Sequence, residues 1–267
     1  MSDEQGRLPR TAEAEAARLR WQEYAPGAVL LDGFHALKHA LRFGADVHMA
    51  VTTDKDAVLR LAADLAPDLT AALAERVTEV PERLLRALVA RVHPTGVAAL
   101  AARPASGADA VRLGALPRRA PVVVLDRPRN LGNVGAVVRL AAGFGATGVV
   151  TTGDLDPWHP NAVRAGAGLH YATAVARTAP DDLPPGPLYV LDPAGRDIRD
   201  AALPDEALVV FGSERHGVSD ELRGRAAALV SLPMRPQVSS YNLATSVGMA
   251  LFHWAGTSAS PLVPGRV

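Results

Sequence analysis

The sequence contains no cysteine. Disulfide frameworks, thiolate metal sites and cysteine nucleophiles are therefore excluded, and the chain fits a reducing cytoplasm. Long apolar runs are missing as well: none approaches the roughly 18 residues that a membrane helix needs. The opening stretch, MSDEQGRLPRTAEAEAARLRW, is charged throughout and lacks the apolar centre of a signal peptide. The expectation is a cytoplasmic protein with no membrane partner. Lysine is scarce, with only Lys38 and Lys55 among 28 basic residues. No sign of charge is in excess, because 28 acidic residues balance the 28 basic ones. A net charge of zero argues against non-specific nucleic-acid binding through bulk electrostatics.

What is present describes an ordinary soluble globular chain: 267 residues, 48% hydrophobic and 21% charged. That length holds one large domain or two small ones. The charge is unevenly distributed. Between Arg112 and Arg139 lie six arginines (112, 118, 119, 127, 129 and 139) and a single acid, Asp126. The stretch ARPASGADA (102–110) is the best internal linker, and no repeat at solenoid periods is visible. The organisation expected is an N-terminal extension (1–22), a first domain (23–104), a linker (105–118) and a larger second domain (119–267).

In the first domain, AVLLDG (28–33), HMAVTT (48–53) and GVAALAAR (96–103) read as buried strands. Segments 34–43, 56–66 and 81–92 carry apolar residues at three-and-four spacing and read as helices. A small α/β/α sandwich is expected. The second domain repeats the alternation, with strands at 121–126, 148–152, 187–192, 207–212 and 228–233. Helices are expected at 133–144, 159–167, 218–224 and 241–255. Near-continuous apolar strands between helices predict an α/β fold with a mostly parallel sheet covered on both faces. Leu243, Val247, Leu251 and Trp254 form one stripe on the last helix, suited to core packing or to a subunit interface.

Several familiar sites fail on spacing. The strand–glycine–helix stretch at 121–146 has the outline of a dinucleotide loop, but Gly132, Gly135, Gly143 and Gly145 do not form G-x-G-x-x-G. No P-loop lysine follows any glycine cluster. His35 and His39 have the i, i+4 spacing of zinc ligands, yet Ala36 stands where H-E-x-x-H needs its glutamate. No metal is expected. GSERHG (212–217) is not the G-x-S-x-G of a hydrolase elbow.

A set of polar residues at strand ends remains. Asn130 and Arg139 flank the glycine stretch, and Arg139 sits in the apolar context AVVRLAAG, where a solvated arginine is unusual. Glu214 follows the strand ALVVFG. Ser239, Ser240 and Asn242 follow ALVSLPM and open the last helix. These are carboxyl ends of strands, where α/β sheets bind ligands. Ser240 and Asn242 also suit helix N-caps, and Glu214 an ion pair.

Three stretches around these residues resemble the signature motifs of the SpoU (TrmH-like) family of SPOUT RNA 2′-O-ribose methyltransferases. The first, NLGNVGAVVRLAAGFGA (130–146), resembles N-x-G-N-x-x-x-x-x-R, ending in Arg139. The second, LVVFGSERHGVSDEL (208–222), is similar to G-x-E-x-x-G-(L/V/M)-S. The third, VSLPMRPQVSSYNLATSVGMALF (230–252), is similar to (I/L)-P-M-x-x-x-V-x-S-L-N, with Tyr241 in place of the leucine. RAGAG (164–168) falls where the family has R-x-S-x-G-A and departs from it at Gly166. The first domain resembles the L30e-like RNA-binding domain found in many members.

The resemblance implies a SPOUT domain with a deep trefoil knot over 119–267 and an L30e-like substrate-binding domain over 23–104. It implies an S-adenosyl-L-methionine-dependent RNA 2′-O-ribose methyltransferase, with ribosomal RNA favoured over tRNA as the structured RNA partner. The alternatives are a tRNA enzyme, or a catalytically idle RNA-binding protein of the same fold. Gly212, Leu232 and Tyr241 are implied to hold the cofactor through their backbone, with Met234 lining the pocket. The implied catalytic set is Arg139, Asn130, Glu214, Ser240 and Asn242. Arg139 is implied to act on the 2′-hydroxyl, as a base or as an electrostatic stabiliser, because a guanidinium normally stays protonated. A homodimer through the C-terminal domain is implied, with Arg139 of one subunit reaching the cofactor of the other. Arg20, Lys38, Arg42 and Arg91 are candidates for phosphate contacts in the first domain.

Overall fold

A computed structural model describes residues 8–258. Residues 1–7 of the expected extension and 259–267 of the expected second domain lie outside the described residues. The chain divides between Arg103 and Pro104 into two compact units.

The first unit runs α1 (Leu8–Tyr24), β1 (Val29–Asp32), α2 (Phe34–Arg42), β2 (Val47–Thr52), α3 (Lys55–Leu65), α4 (Thr70–Arg76), β3 (Val77–Glu79), α5 (Glu82–Leu88) and β4 (Val97–Ala101). Its sheet has the order β1-β4-β2-β3. It is mixed, with β4 antiparallel to both neighbours and β2 parallel to β3. β4 reads VAALA and is buried at every position, as expected for a strand paired on both sides and covered on both faces. Most of the region read as an extension belongs to this unit: Ala17 and Trp21 of α1 are buried in one core cluster with Val51, Leu85 and Leu100.

The second unit begins with α6 (Ser106–Gly114), in the stretch read as linker. This helix is built into the unit. The Asp109 carboxylate accepts a hydrogen bond from the Val175 N–H at 3.2 Å, and Leu113 joins the core. The chain continues through β5 (Val122–Leu125), α7 (Leu131–Phe144), β6 (Gly148–Thr151), α8 (Pro160–Ala165), β7 (Ala174–Arg177) and β8 (Leu188–Asp197). It ends with β9 (Leu208–Phe211), α9 (Asp220–Gly224), β10 (Ala226–Ser231) and α10 (Leu243–Thr257). The six strands have the order β10-β8-β9-β5-β6-β7, and every pair is parallel.

Three features of this unit place the site. First, β5 lies in mid-sheet, and the chain leaves it outward to β6 and β7 before returning on the other side through β8, β9 and β10. Such a reversal opens a crevice at the carboxyl ends of the strands. Second, β8 pairs with β10 through Leu188–Val190 and again through Arg196–Asp197. The intervening irregularity turns Leu191–Pro193 toward that crevice, as bulges do. Third, α7 and α10 run parallel, side by side. Their first turns are joined by an Asn242–Asn133 hydrogen bond, and further along Gly248 faces the Leu140 side chain.

The apolar stripe of the last helix resolves as core. Leu243, Val247, Leu251 and Trp254 are all buried within the single chain, and the Trp254 indole N–H donates to Asp205 at 2.9 Å. They are not available to a partner subunit. The exposed apolar residue on α10 is instead Phe252, at 72% exposure.

Candidate active site

At the carboxyl ends of β8, β9 and β10 lies a cavity of about 380 Å³. Its volume is within the range of small-molecule sites. Gly212, Leu232, Met234 and Tyr241 all line it, as do Glu214 and Ser240. The structure thus brings the four residues expected to hold a cofactor to one wall system, together with two of the five expected catalytic residues.

The second motif forms a tight loop. β9 delivers Phe211 buried, after which Ser213 and Gly217 exchange both backbone hydrogen bonds, at 3.1 and 3.0 Å. Glu214, Arg215 and His216 stand exposed at the tip. Gly217 adopts φ of +66°, which favours glycine, and a Cβ on Gly212 would collide with the Gly217–Val218 backbone. Both glycines of G-x-E-x-x-G are therefore dictated by backbone geometry. The loop is braced from beneath by the buried Asp126. One carboxylate oxygen accepts from the Thr152 hydroxyl and the other from the Ser219 N–H, both at 2.7 Å. A single carboxylate thus ties the ends of β5 and β6 to the second motif.

The first and third motifs meet the second through Asn133. Its side-chain amide donates to Glu214 Oε1 at 2.7 Å, and its Oδ1 accepts from Asn242 Nδ2 at 3.2 Å. Asn242 also caps α10, its Oδ1 accepting from the N–H groups of Ala244 and Thr245 at 2.9 and 3.4 Å. The cap and the site contact are one residue's two halves. Asn130, the asparagine singled out from sequence, does something different: its Oδ1 accepts from the Asn133 N–H at 3.1 Å and starts α7. It sets where Asn133 points. Asn133 is the residue that sequence reasoning passed over, although N-x-G-N shows both asparagines.

Arg139 is not brought to the cavity of its own chain. It lies six residues beyond Asn133, about 9 Å along the helix and roughly 120° around it. Its side chain is exposed and makes no hydrogen bond or ion pair among the described residues. The apolar context that pointed to burial belongs to the other face of α7, where Val134, Val137, Val138 and Ala141 are buried.

RAGAG (164–168) packs behind this region. A Cβ on Gly135 of α7 would collide with the Ala162 carbonyl of α8, so the two helices touch at backbone distance. Ala167 and Gly168 both have positive φ, at 50° and 73°. The turn leads to His170, which is fully buried beside Trp158 and bonded through Nε2 to the Pro157 carbonyl at 3.0 Å. Burial pushes its pKa down from 6.5 to about 4, so the imidazole is neutral. Among the described residues no group of His, Asp and Glu is arranged to hold a metal ion, and no helix is long and apolar enough to cross a membrane.

A parallel sheet with a crevice at its strand ends, and three sequence motifs joined there by one asparagine beside a cavity, define a class of protein. The chain belongs to the SpoU rRNA Methylase family, whose model matches residues 120–252. Among curated relatives it is 27% identical to an uncharacterised tRNA/rRNA methyltransferase of Synechocystis, over 87% of each chain. It is 33% identical to the 23S rRNA (adenosine(1067)-2′-O)-methyltransferase of Streptomyces azureus, over 50% of this chain and 54% of that one. The fold is that of the SpoU methyltransferase AviRb of Streptomyces viridochromogenes in complex with AdoMet. That match has a TM-score of 0.72 and 23% identity, over 92% of this chain and 99% of the other.

Proposed function

We propose that the protein is an S-adenosylmethionine-dependent RNA 2′-O-ribose methyltransferase that acts on ribosomal RNA in the cytoplasm. The observation that carries this reading is the bonded series Asn242–Asn133–Glu214, which joins all three family motifs beside the cavity. The relative from S. azureus acts on 23S rRNA at a ribose 2′-oxygen, which supports the choice of reaction and of RNA.

The cavity suits the cofactor chemically. Leu191, Leu232 and Met234 offer apolar wall for a flat base, Ser240 and Ser246 offer hydroxyls, and the Glu214 and Asp192 carboxylates favour a positive sulfonium. Gly212, Leu232 and Tyr241 would hold it through backbone groups, and Met234 would pack against it. When bound, S-adenosylmethionine supplies an electrophilic methyl for in-line displacement by the ribose oxygen. The chain's own residues then align that oxygen and manage its proton. Glu214 keeps Oε2 clear of the bond to Asn133, and Ser240 lies on the same wall. A carboxylate and a hydroxyl both accept hydrogen bonds, which supports a role for the two residues in holding the ribose hydroxyl.

Arg139 completes the site from a second copy of the chain. It is exposed on the face of α7 that also presents Gly132 and Gly143, and the neighbouring parallel helix exposes Phe252. A homodimer through these two helices carries each Arg139 toward the partner's cavity. There its fixed positive charge stabilises the developing oxyanion and the target phosphate. The first unit is the RNA-gripping domain. The path of the chain from β10 to α10 is the knotted segment of the family resemblance.

Titration calorimetry with S-adenosylmethionine and with NAD, followed by label transfer to ribosomal RNA and to tRNA, tests the reading. Uptake of S-adenosylmethionine with label in ribosomal RNA is expected. Binding of NAD alone would overturn it, and label confined to tRNA would replace the substrate.

A further inference from the structure

The connection from β10 to α10, residues 232–242, supplies Leu232, Met234, Ser239, Ser240 and Tyr241 to the cavity. It is a thinly supported segment. Pro233, and every residue from Arg235 to Asn242, is exposed. Pro233 and Pro236 have no N–H to donate. Gln237 sits in the left-handed region, with φ of +72°. Inside residues 232–241 two hydrogen bonds are found among the described residues. One is a turn, from the Val238 N–H to the Arg235 carbonyl at 3.2 Å. The other spans the loop: the Tyr241 hydroxyl donates to the Pro233 carbonyl at 3.0 Å.

The second bond is the one that fixes the loop's shape. β10 holds one end, where the Ser231 hydroxyl bonds to the Gly195 carbonyl at 2.9 Å, and the Asn242 cap holds the other. Between those anchors the chain would otherwise sample many arrangements, each leaving the cavity wall incomplete. Tyr241 shortens the free segment by tying two positions eight residues apart. Tyr241 is also one of the residues that line the cavity. The leucine of the family pattern, which Tyr241 replaces, has a wall to offer but no donor.

We propose that Tyr241 is a strap that closes the cofactor loop before the cofactor arrives, its hydroxyl holding Pro233 so that Leu232, Met234 and Ser240 are already in place. This rests on the cofactor reading above and adds a role that a backbone contact does not require. The consequence is thermodynamic. Affinity falls in proportion to the fraction of molecules whose loop is binding-competent, so losing the strap weakens binding without removing any contact to the ligand.

The test compares the full chain with Tyr241→Phe, which loses only the hydroxyl, and Tyr241→Leu, which loses hydroxyl and ring. Hydrogen exchange is followed by mass spectrometry in the ligand-free proteins, and S-adenosylmethionine affinity by calorimetry. In Tyr241→Phe, faster exchange confined to residues 234–241 is expected. Its dissociation constant should rise about two- to tenfold, the range of one net hydrogen bond. Tyr241→Leu should match or exceed both changes. Unchanged exchange together with unchanged affinity in Tyr241→Phe, beside a wild type that binds, would overturn the strap. So would a loss of turnover at saturating cofactor with affinity intact, since that would place the hydroxyl among the reacting groups. A wild type that takes up no S-adenosylmethionine would overturn the cofactor reading instead, and the exchange comparison separates the two failures.

Discussion

The side-chain amide of Asn133 donates to Oε1 of Glu214 at 2.7 Å, joining residues 81 positions apart. The same side chain accepts from Asn242 at 3.2 Å. An amide whose two ends are both engaged has one orientation, and it fixes the orientation of its two neighbours. Replacing Asn133 by Ala leaves Glu214 and Asn242 free to turn. We expect turnover to fall about 10- to 100-fold, the penalty for misplacing reacting groups by about 1 Å. Stability should change by no more than about 1 kcal/mol, because Glu214 and Asn242 are solvated. Steady-state methylation assays and thermal melts read the two effects. Full activity in the variant would remove Asn133 from the site.

Arg139 is exposed on its own chain, so Arg139→Ala should alter stability by less than about 0.5 kcal/mol. It should leave S-adenosylmethionine affinity near the wild-type value while lowering turnover at least about 100-fold. If Arg139 acts across a dimer, mixing Arg139→Ala with Glu214→Gln creates heterodimers with one intact site, and activity returns. Recovery on mixing distinguishes action in trans from action within one chain. No recovery, with dimers present, would place Arg139 at its own cavity.

Gly212 has no room for a Cβ, because the Gly217–Val218 backbone occupies that space. Backbone cannot move aside as a flexible side chain can. Gly212→Ala should therefore cost about 1–3 kcal/mol of stability and displace the Glu214 loop. A lowered melting temperature together with at least about tenfold weaker cofactor binding is expected. A variant that melts and binds like wild type would show that the loop yields.

His170 gives a pH dependence. Its folded pKa is about 4 against an ordinary 6.5, because the buried imidazole cannot carry charge. The unfolded chain binds that proton first, so folding stability falls as pH drops from about 6.5 toward 4. Asp109 works in the opposite direction, since burial raises its pKa and the fold then favours its neutral form. His170→Gln, which removes one titration and not the other, should flatten the acid side of the stability–pH curve. Melting temperatures of both proteins across that window measure it, and parallel curves would contradict the assignment.

Much of the second unit was legible in the sequence, because apolar runs such as VVVL become the central β5 and are buried at every position. The four-residue β7 was not legible. It is an edge strand whose last residue, Arg177, is exposed, so AVAR carries no period of its own. α6 was hidden by composition: the glycine and alanine of SGADA read as linker, and only the tertiary contacts of Asp109 and Leu113 reveal the helix as packed. At the site, the motifs named the cavity-lining residues but not the division of labour between two asparagines. Asn130 satisfies the helix start, the ordinary task of a first asparagine. That leaves the second, one turn on, to reach across to Glu214. Arg139 was found by its motif and misplaced by its context. The small residues beside it on α7, Gly132 and Gly143, leave that face open.

The most direct test of the proposed function is to incubate the protein with methyl-labelled S-adenosylmethionine and ribosomal RNA, digest the RNA to nucleosides, and identify the one that carries label. Label on a single 2′-O-methylnucleoside, appearing at least about 100-fold more slowly in Arg139→Ala and about 10- to 100-fold more slowly in Asn133→Ala, is the result we expect. Label on a base, or none in RNA at all, would contradict it.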